Sequence, residues 1–301
     1  MAMSLQIRVP ESSRDMACRV LNTTKLLYEV FWIIKSLYLR VLSSKIIASG
    51  LGNDRPTLIF LHGFLGSHQD FMPLTTQLNP YNSLLLDLPG HGKSLALPDR
   101  TYTLQGAAEE ILATLDHHNI DRPILYGYSM GGRLALYLAL RWPDRFTSAF
   151  LESASPGLAS DTEQSDRRQQ DQKLAQSIQT DLPEFLNKWY QAELFKSLKT
   201  HPSFPELLDR RHQNDRHELA RSLLNMGTGS QPSLWSKLAQ AKILLHLIVG
   251  TADPKFCAIN QKMHDLCPTA QIHPIPNIGH NLHIEAPDAI AQIILKNTPN
   301  P

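Results

Sequence analysis

The pentapeptide Gly-Tyr-Ser-Met-Gly at 127–131 constrains the fold more than any other stretch of this chain. The apolar residues 124–126 before it predict a short buried strand, and the run 132–140 after it predicts a helix. A Gly-x-Ser-x-Gly sequence between a strand and a helix is typical of a nucleophile elbow, where small residues let the chain turn tightly around an exposed serine. Gly and Ser are common in turns, so it is the position between strand and helix that predicts a catalytic Ser129.

Composition excludes several function classes. The 301 residues carry a formal net charge of +1, so no overall field favours nucleic acid or an anionic surface as a partner. The length fits one large α/β domain with an inserted subdomain. Cys18, Cys257 and Cys267 form an odd set without metal-ligand spacing. We therefore expect a cytoplasmic protein without a metal site.

The sequence pattern of residues 1–36 gives the weakest indication of structure in the chain. Apolar residues between 26 and 41 share one helical face, but Glu29, Lys35 and Arg40 interrupt them, so we expect no stable membrane span. The segment also lacks the clean apolar core and the cleavage site of a signal peptide. We interpret residues 1–36 as an N-terminal extension of unknown role, a docking helix or read-through upstream sequence rather than a membrane-surface helix. An edge strand of the main sheet is expected within 38–47.

The remaining chain alternates apolar strand-like runs with helical periodicity, which predicts a mostly parallel sheet flanked by helices and joined by right-handed crossovers. Residues 159–235 differ: they are rich in Gln, Asp, Arg and Leu and contain helical patches without a strand-like run. We interpret them as a helical cap inserted into a core formed by residues 37–158 and 236–301. The predicted strands are 56–61, 83–87, 124–126, 146–152, 243–249 and 271–276, and the clearest predicted helices are 104–118, 132–140 and 286–296.

Two backbone amides are candidates for an oxyanion hole. A Gly-rich turn at 62–66 follows the strand at 56–61, and it can direct the N–H of Phe64 into the site. The N–H of Met130, the residue after the serine, would be the second donor. His62 in the same turn could be a base, but we favour an imidazole that is hydrogen-bonded beneath the turn.

Ser129, Asp253 and His280 each follow a predicted strand, in the order of nucleophile, acid and base that is typical of the α/β-hydrolase fold. Carboxyl ends of parallel strands meet at one edge of the sheet, so residues distant in sequence can form a triad there. The alternative is that Asp253 is only a helix N-cap before Pro254 and that His280 is a surface histidine. His283 is the nearest competitor for the role of base.

Arginines suggest the class of substrate. Arg133 lies four residues after Ser129, so its guanidinium can reach the same site. The cap carries two arginine pairs, 167–168 and 210–211. Arginines that converge on one cavity would suit a di- or tricarboxylate, whereas a solvated helix face is the alternative for the cap arginines.

A resemblance to a known family is carried by the stretches 61–66, 87–92, 127–133, 156–158 with Glu152, 189–191, 253–256 and 279–283. From about Thr57 onward the chain resembles the 2-succinyl-6-hydroxy-2,4-cyclohexadiene-1-carboxylate synthases, the MenH-type enzymes of menaquinone and phylloquinone synthesis. That resemblance implies an α/β-hydrolase fold, a triad of Ser129, Asp253 and His280, and substrate contacts from Arg133, Arg167, Arg211, Tyr128 and Trp189. Residues 1 to about 35 have no counterpart in the typical member.

The resemblance implies a lyase that needs no cofactor. Ser129 would remove a proton from the carbon next to a ketone, the amides of Phe64 and Met130 would hold the enolate, and pyruvate would leave. A hydrolase acting on esters or carbon–carbon bonds, with the same triad, is the alternative activity, and a non-catalytic ligand-binding protein is a third. The sequence leaves the oligomeric state open.

Overall fold

The computed structural model describes residues 42–47 and 55–298. Within them, strands form one sheet in the order β1-β3-β2-β4-β5-β6-β7. Only β1 at the edge runs antiparallel to its neighbour, and the other pairs are parallel. The strands are β1 (Ser44–Ile47), β2 (Thr57–Leu61), β3 (Asn82–Leu86), β4 (Ile124–Tyr128), β5 (Ser148–Glu152), β6 (Leu244–Gly250) and β7 (Ala270–Ile275).

Helices connect these strands and cover both faces of the sheet. The α-helices are α1 (Met72–Thr75), α2 (Leu104–His117), α3 (Met130–Arg141), α4 (Asp161–Thr180), α5 (Leu182–Trp189), α6 (Lys196–Lys199), α7 (Phe204–His212), α8 (Arg216–Met226), α9 (Pro254–Leu266), α10 (Leu282–Glu285) and α11 (Pro287–Asn297). Short 3-10 helices occur at His68–Phe71, Asp99–Tyr102, Pro143–Arg145, Glu193–Phe195 and Trp235–Gln240.

The central strands are buried on both faces because helices pack on each side. Every residue of β4 and β5 is buried. One apolar cluster lies between one face of the sheet and helices that include α2 and α3, and a second lies between the other face and α11. This two-sided burial explains why the strands read as continuous apolar runs rather than as an alternating pattern.

Five helices, α4 to α8, lie between β5 and β6, in the region predicted to be a cap. They have an apolar cluster of their own, which includes Ile178, Phe185 and Leu219. Leu65, from the turn after β2, is buried in that same cluster. The core and these helices are therefore in contact at the turn that carries Phe64. The exact boundaries of the cap, 159 and 235, stay a prediction.

The predicted strands and helices are confirmed with small shifts at their ends. The elbow helix begins at Met130 rather than at 132, and the strand predicted from 146 begins at Ser148. The predicted edge strand is β1, at the end of the range 38–47. The N-terminal extension assigned to residues 1–36 lies outside the described residues.

Candidate active site

Ser129 stands at the sharp turn between β4 and α3. Its backbone has φ of +49° and ψ of −105°, a conformation that L-residues rarely adopt. The turn holds it there, since the Ser129 N–H donates to the carbonyl of Glu152 at 2.9 Å and its carbonyl accepts from the N–H of Arg133 at 2.9 Å. The flanking glycines are required by space: a Cβ at Gly131 would lie 2.0 Å from the carbonyl oxygen of Leu61. The strained backbone thereby holds the Ser129 side chain at the carboxyl edge of the sheet.

His280 and Asp253 reach this serine from loops after β7 and β6. His280 Nε2 lies 3.2 Å from Ser129 Oγ, and His280 Nδ1 lies 2.7 Å from Asp253 Oδ2. Asp253 also caps α9, because its Oδ1 accepts the N–H of Phe256 at 3.2 Å. The two interpretations of Asp253 therefore do not exclude each other. The carboxylate fixes the imidazole with one oxygen and is itself fixed by the helix through the other.

The amides of Phe64 and Met130 belong to residues that line the same cavity as Ser129 and His280. Within residues 42–47 and 55–298, no protein acceptor takes the N–H of either residue. Met130 is the first residue of α3, where backbone N–H groups have no partner within the helix and favour negative charge. These two amides are thus available to a developing oxyanion.

Two buried histidines brace the turn that carries Phe64. His62 Nδ1 donates to the carbonyl of Gly63 at 2.7 Å, and His62 Nε2 accepts the N–H of Leu88 at 2.9 Å. This confirms the structural interpretation of His62. His91 is arranged in the same way, because its Nδ1 lies 3.1 Å from the Pro89 carbonyl and its Nε2 accepts the N–H of Leu65 at 3.2 Å. Burial lowers the pKa of His91 to about 3, so this imidazole stays neutral.

A cavity of about 240 Å³ opens above Ser129, between the core and helices α4 to α8. Trp189, Tyr190 and Phe195 contribute aromatic walls, and Tyr128 lies beside the serine. The cavity has a cationic lining of Arg133, Arg167, Arg211 and Lys255, and within residues 42–47 and 55–298 no Asp or Glu lines it. Asp253 lies behind His280, which does line the cavity. The sequence competitors Arg168 and Arg210 are not part of the lining.

The three lining arginines differ in how their charge is compensated. Arg211 donates twice to Asp70, at 3.0 and 2.6 Å. Arg167 donates to Asp171 at 2.7 Å. Arg133 donates only to neutral oxygens, Gln231 Oε1 at 2.8 Å and the Met226 carbonyl at 2.9 Å.

Electrostatics follow this pairing. Burial and the neighbouring Arg167 lower the pKa of Arg133 to about 10. Burial acts in the same direction on Arg211, but Asp70 outweighs it and the pKa of Arg211 rises above its ordinary value. Of the three lining arginines, Arg133 is therefore the one that lacks a carboxylate partner, and an anionic ligand would compensate its charge.

His283 does not face Ser129 as a competing base. Its Nδ1 lies 2.9 Å from Glu152 Oε1, and its backbone N–H donates to the same oxygen at 3.1 Å. Glu152 also accepts the hydroxyl of Tyr126 through Oε2. This buried group lies behind the nucleophile and holds α10 against the end of β5.

Several residues near the site carry no role in the sequence interpretation. Asp70 and Asn214 are missed because their partners are far away along the chain, and no local pattern marks them. Lys255 could have been identified from the sequence, because it lies two residues after Asp253 in the first turn of α9. Tyr190, next to Trp189, also lines the cavity.

Other kinds of site have no support in the described part of the chain. No group of three or more His, Cys, Asp or Glu side chains there could hold a metal ion. No helix among the same residues is long and apolar enough to span a membrane.

Comparison with known proteins places this site in context. A model of the α/β hydrolase fold matches residues 56–287, which agrees with the sheet order and confirms the predicted fold. A Bacillus subtilis protein provisionally named 2-succinyl-6-hydroxy-2,4-cyclohexadiene-1-carboxylate synthase is 36% identical over 246 residues, or 80% of this chain and 90% of that protein. The synthase of that name from Serratia proteamaculans is 33% identical and covers 87% of this chain and 100% of its own length. The solved structure of MenH from S. aureus superposes with a TM-score of 0.80 at 30% identity, over 84% of this chain and 96% of that one.

Proposed function

Because the chain belongs to the α/β-hydrolase fold family and, within it, to the 2-succinyl-6-hydroxy-2,4-cyclohexadiene-1-carboxylate synthases, we propose that it is a pyruvate-eliminating lyase of menaquinone or phylloquinone synthesis. Its substrate is 2-succinyl-5-enolpyruvyl-6-hydroxy-3-cyclohexene-1-carboxylate. The observation that carries the proposal is one cavity that holds the Ser129–His280 pair together with Arg133, a cation without a carboxylate partner.

In this mechanism Ser129 is a base and not a nucleophile. His280 takes the hydroxyl proton through Nε2, and Asp253 stabilises the resulting imidazolium. Ser129 Oγ then removes the proton from the ring carbon next to the succinyl ketone. The electron pair of that C–H bond becomes the enolate, whose oxygen receives hydrogen bonds from the amides of Phe64 and Met130.

Elimination completes the reaction. The enolate carbonyl re-forms, the electron pair moves through the ring double bond, and the bond between the ring carbon and the ether oxygen breaks. The enolpyruvate that leaves takes up a proton to become pyruvate, which balances the proton removed from carbon. Water is not a reactant, so exclusion of water by the bound substrate would favour the lyase over competing hydrolysis.

The substrate carries three carboxylates, and the lining supplies the matching charge. Arg133 would bind one carboxylate directly, because its guanidinium is buried and lacks an anionic partner. Arg167 and Lys255 would meet the others nearer the cavity mouth. Tyr128 and Trp189 would pack against the ring and the side chain. The proposed partner is therefore a small polycarboxylate rather than nucleic acid. The proposed compartment is the cytoplasm.

Pyruvate release tests the proposal. The enolpyruvyl substrate is mixed with the protein, and lactate dehydrogenase converts any pyruvate to lactate while NADH absorbance is followed. We expect release well above the non-enzymatic rate, and we expect Ser129→Ala to abolish the excess. Release at the non-enzymatic rate by the unmodified protein would overturn the lyase assignment.

A hydrolase acting on esters or carbon–carbon bonds is the second candidate, because the same serine and amides could form an acyl-enzyme. Arg133 argues against it, since an apolar acyl group would leave this buried cation without an anionic partner. Steady turnover of neutral esters, combined with no pyruvate release, would favour the hydrolase.

A further inference from the structure

Leu65 stands next to the proposed oxyanion donor Phe64 in a strained backbone conformation. Its φ is +70°, in the left-handed region that a branched aliphatic residue rarely adopts. Such a conformation persists only where surrounding contacts hold it. The contacts of Leu65 therefore hold the backbone of the turn next to Phe64.

Both polar backbone groups of Leu65 are held by side chains from distant parts of the chain. On the core side, its N–H donates to Nε2 of the buried His91 at 3.2 Å. On the cap side, its carbonyl accepts from Asn214 Nδ2 at 2.9 Å. The Leu65 side chain is 1% exposed and packs in the apolar cluster of the cap helices. Leu65 therefore contacts both the core and the cap helices.

Asn214 links the cap helices to Leu65. It lies in the connection between α7 and α8, and its Nδ2 is also 3.2 Å from the carbonyl of Arg211. Arg211 forms the buried ion pair with Asp70, which lies five residues after Leu65. The segment 211–214 is therefore attached to the segment 65–70 at two points.

We propose that Asn214 is a positioning residue for the oxyanion hole. By holding the Leu65 carbonyl, it fixes the Leu65–Gly66 peptide plane, whose N–H donates to the Gly63 carbonyl at 3.0 Å. The Gly63 carbonyl shares a peptide plane with the Phe64 N–H, so this contact keeps the Phe64 N–H directed at the enolate oxygen. Asn214 is not part of the cavity lining and need not touch the substrate. The inference rests on the proposed function for its lyase measurement, but the oxyanion geometry itself can be tested with a neutral ester.

Asn214→Asp is the informative change, because it keeps the size of the side chain and replaces the N–H donor with a carboxylate that repels the Leu65 carbonyl. Loss of a complete oxyanion donor costs about 10²–10³ in kcat, so misalignment of one donor should lower kcat for pyruvate release about tenfold. The KM should stay close to that of the unmodified protein, because binding contacts are unchanged. Acetylation of Ser129 by p-nitrophenyl acetate uses the same amides and should slow by a similar factor.

Asn225→Asp is the matched control. Asn225 lies in α8, and its Nδ2 donates to the Arg221 carbonyl at 2.8 Å, away from the oxyanion turn. We expect this variant to keep both rates. Asn214→Ala, which removes the donor without adding charge, should lower kcat in the same direction and guards against misfolding of the Asp variant.

The outcomes separate the two proposals. A folded Asn214→Ala protein with unchanged kcat and unchanged acetylation would overturn the positioning role. So would a raised KM at constant kcat, which would make Asn214 a binding residue. If the unmodified protein releases no pyruvate, the lyase assignment fails, while slower acetylation of the Asn214 variants would still support the positioning role.

Discussion

Asp70 accepts two hydrogen bonds from the guanidinium of Arg211, and both side chains are almost completely buried. Burial would raise the pKa of Asp70, but Arg211 outweighs this and the pKa lies below its ordinary value. Both side chains of the pair are therefore ionised, and Asp70 largely compensates the positive charge of Arg211. We therefore propose that Arg133, whose partners are neutral, is the main group that recognises the substrate charge.

Arg133→Ala should weaken the use of the tricarboxylate far more than it affects chemistry at Ser129. A hydrogen bond to a charged group contributes about 1.5–3 kcal/mol, so kcat/KM for pyruvate release should fall about 10- to 100-fold. Acetylation of Ser129 by a neutral activated ester should change little. Arg141→Ala, in the exposed last turn of the same helix, is the control. Equal losses in both reactions would mean that Arg133 is structural.

Asp70→Asn should destabilise the fold. The change leaves Arg211 buried without an anion, and breaking a buried ion pair from one side typically costs about 3–5 kcal/mol. Urea unfolding monitored by fluorescence measures this difference. Glu206→Gln is the control, because Glu206 is exposed where it meets Arg210 and should contribute close to nothing. A loss below about 1 kcal/mol for Asp70→Asn would show that Arg211 finds other compensation.

Asp253→Asn should separate catalysis from stability. Asn is as good an N-cap as Asp, so the hydrogen bond to the Phe256 N–H and the start of α9 should survive. The imidazolium of His280, by contrast, loses its carboxylate, and kcat should fall about 10³–10⁴-fold. Pyruvate release and the thermal midpoint are measured in parallel, with Asp265→Asn at the exposed end of the same helix as the control. An active Asp253→Asn protein would contradict the proposed role.

Stability should decrease as the pH falls below about 6.5. Burial lowers the pKa of His91 to about 3 and also lowers that of His62, so the unfolded chain takes up protons that the native protein does not bind. The contribution of His91 is therefore complete above pH 6.5 and is lost progressively towards pH 3.

His91→Gln tests this directly, because a Gln side chain can still accept the Leu65 N–H but does not titrate. We expect a smaller loss of the urea midpoint between pH 7 and pH 5 than in the unmodified protein. His264→Gln, at an exposed position, should leave the slope unchanged. Parallel slopes for His91→Gln and the unmodified protein would rule out this histidine as the source.

Local sequence was enough to predict the elbow. The strand, the tight turn and the helix around Ser129 are encoded within about a dozen adjacent residues, since each depends on apolar periodicity and on small residues beside the serine. The dual role of Asp253 was not predictable as such, because helix capping and contact with His280 each explain the residue alone. Its two oxygens accept different partners only in the folded protein.

The sequence by itself thus determined the order of strands and helices, the positions of Ser129, Asp253 and His280 at strand ends, and which arginines could reach the site. Tertiary structure decided which arginine keeps its charge available, because Asp70 is 141 residues from Arg211 and only packing brings their side chains together. It also decided that Leu65 is held by both His91 and Asn214. Pairing of buried polar groups depends on three-dimensional distance and on exclusion of water, and neither quantity is written in local sequence periodicity.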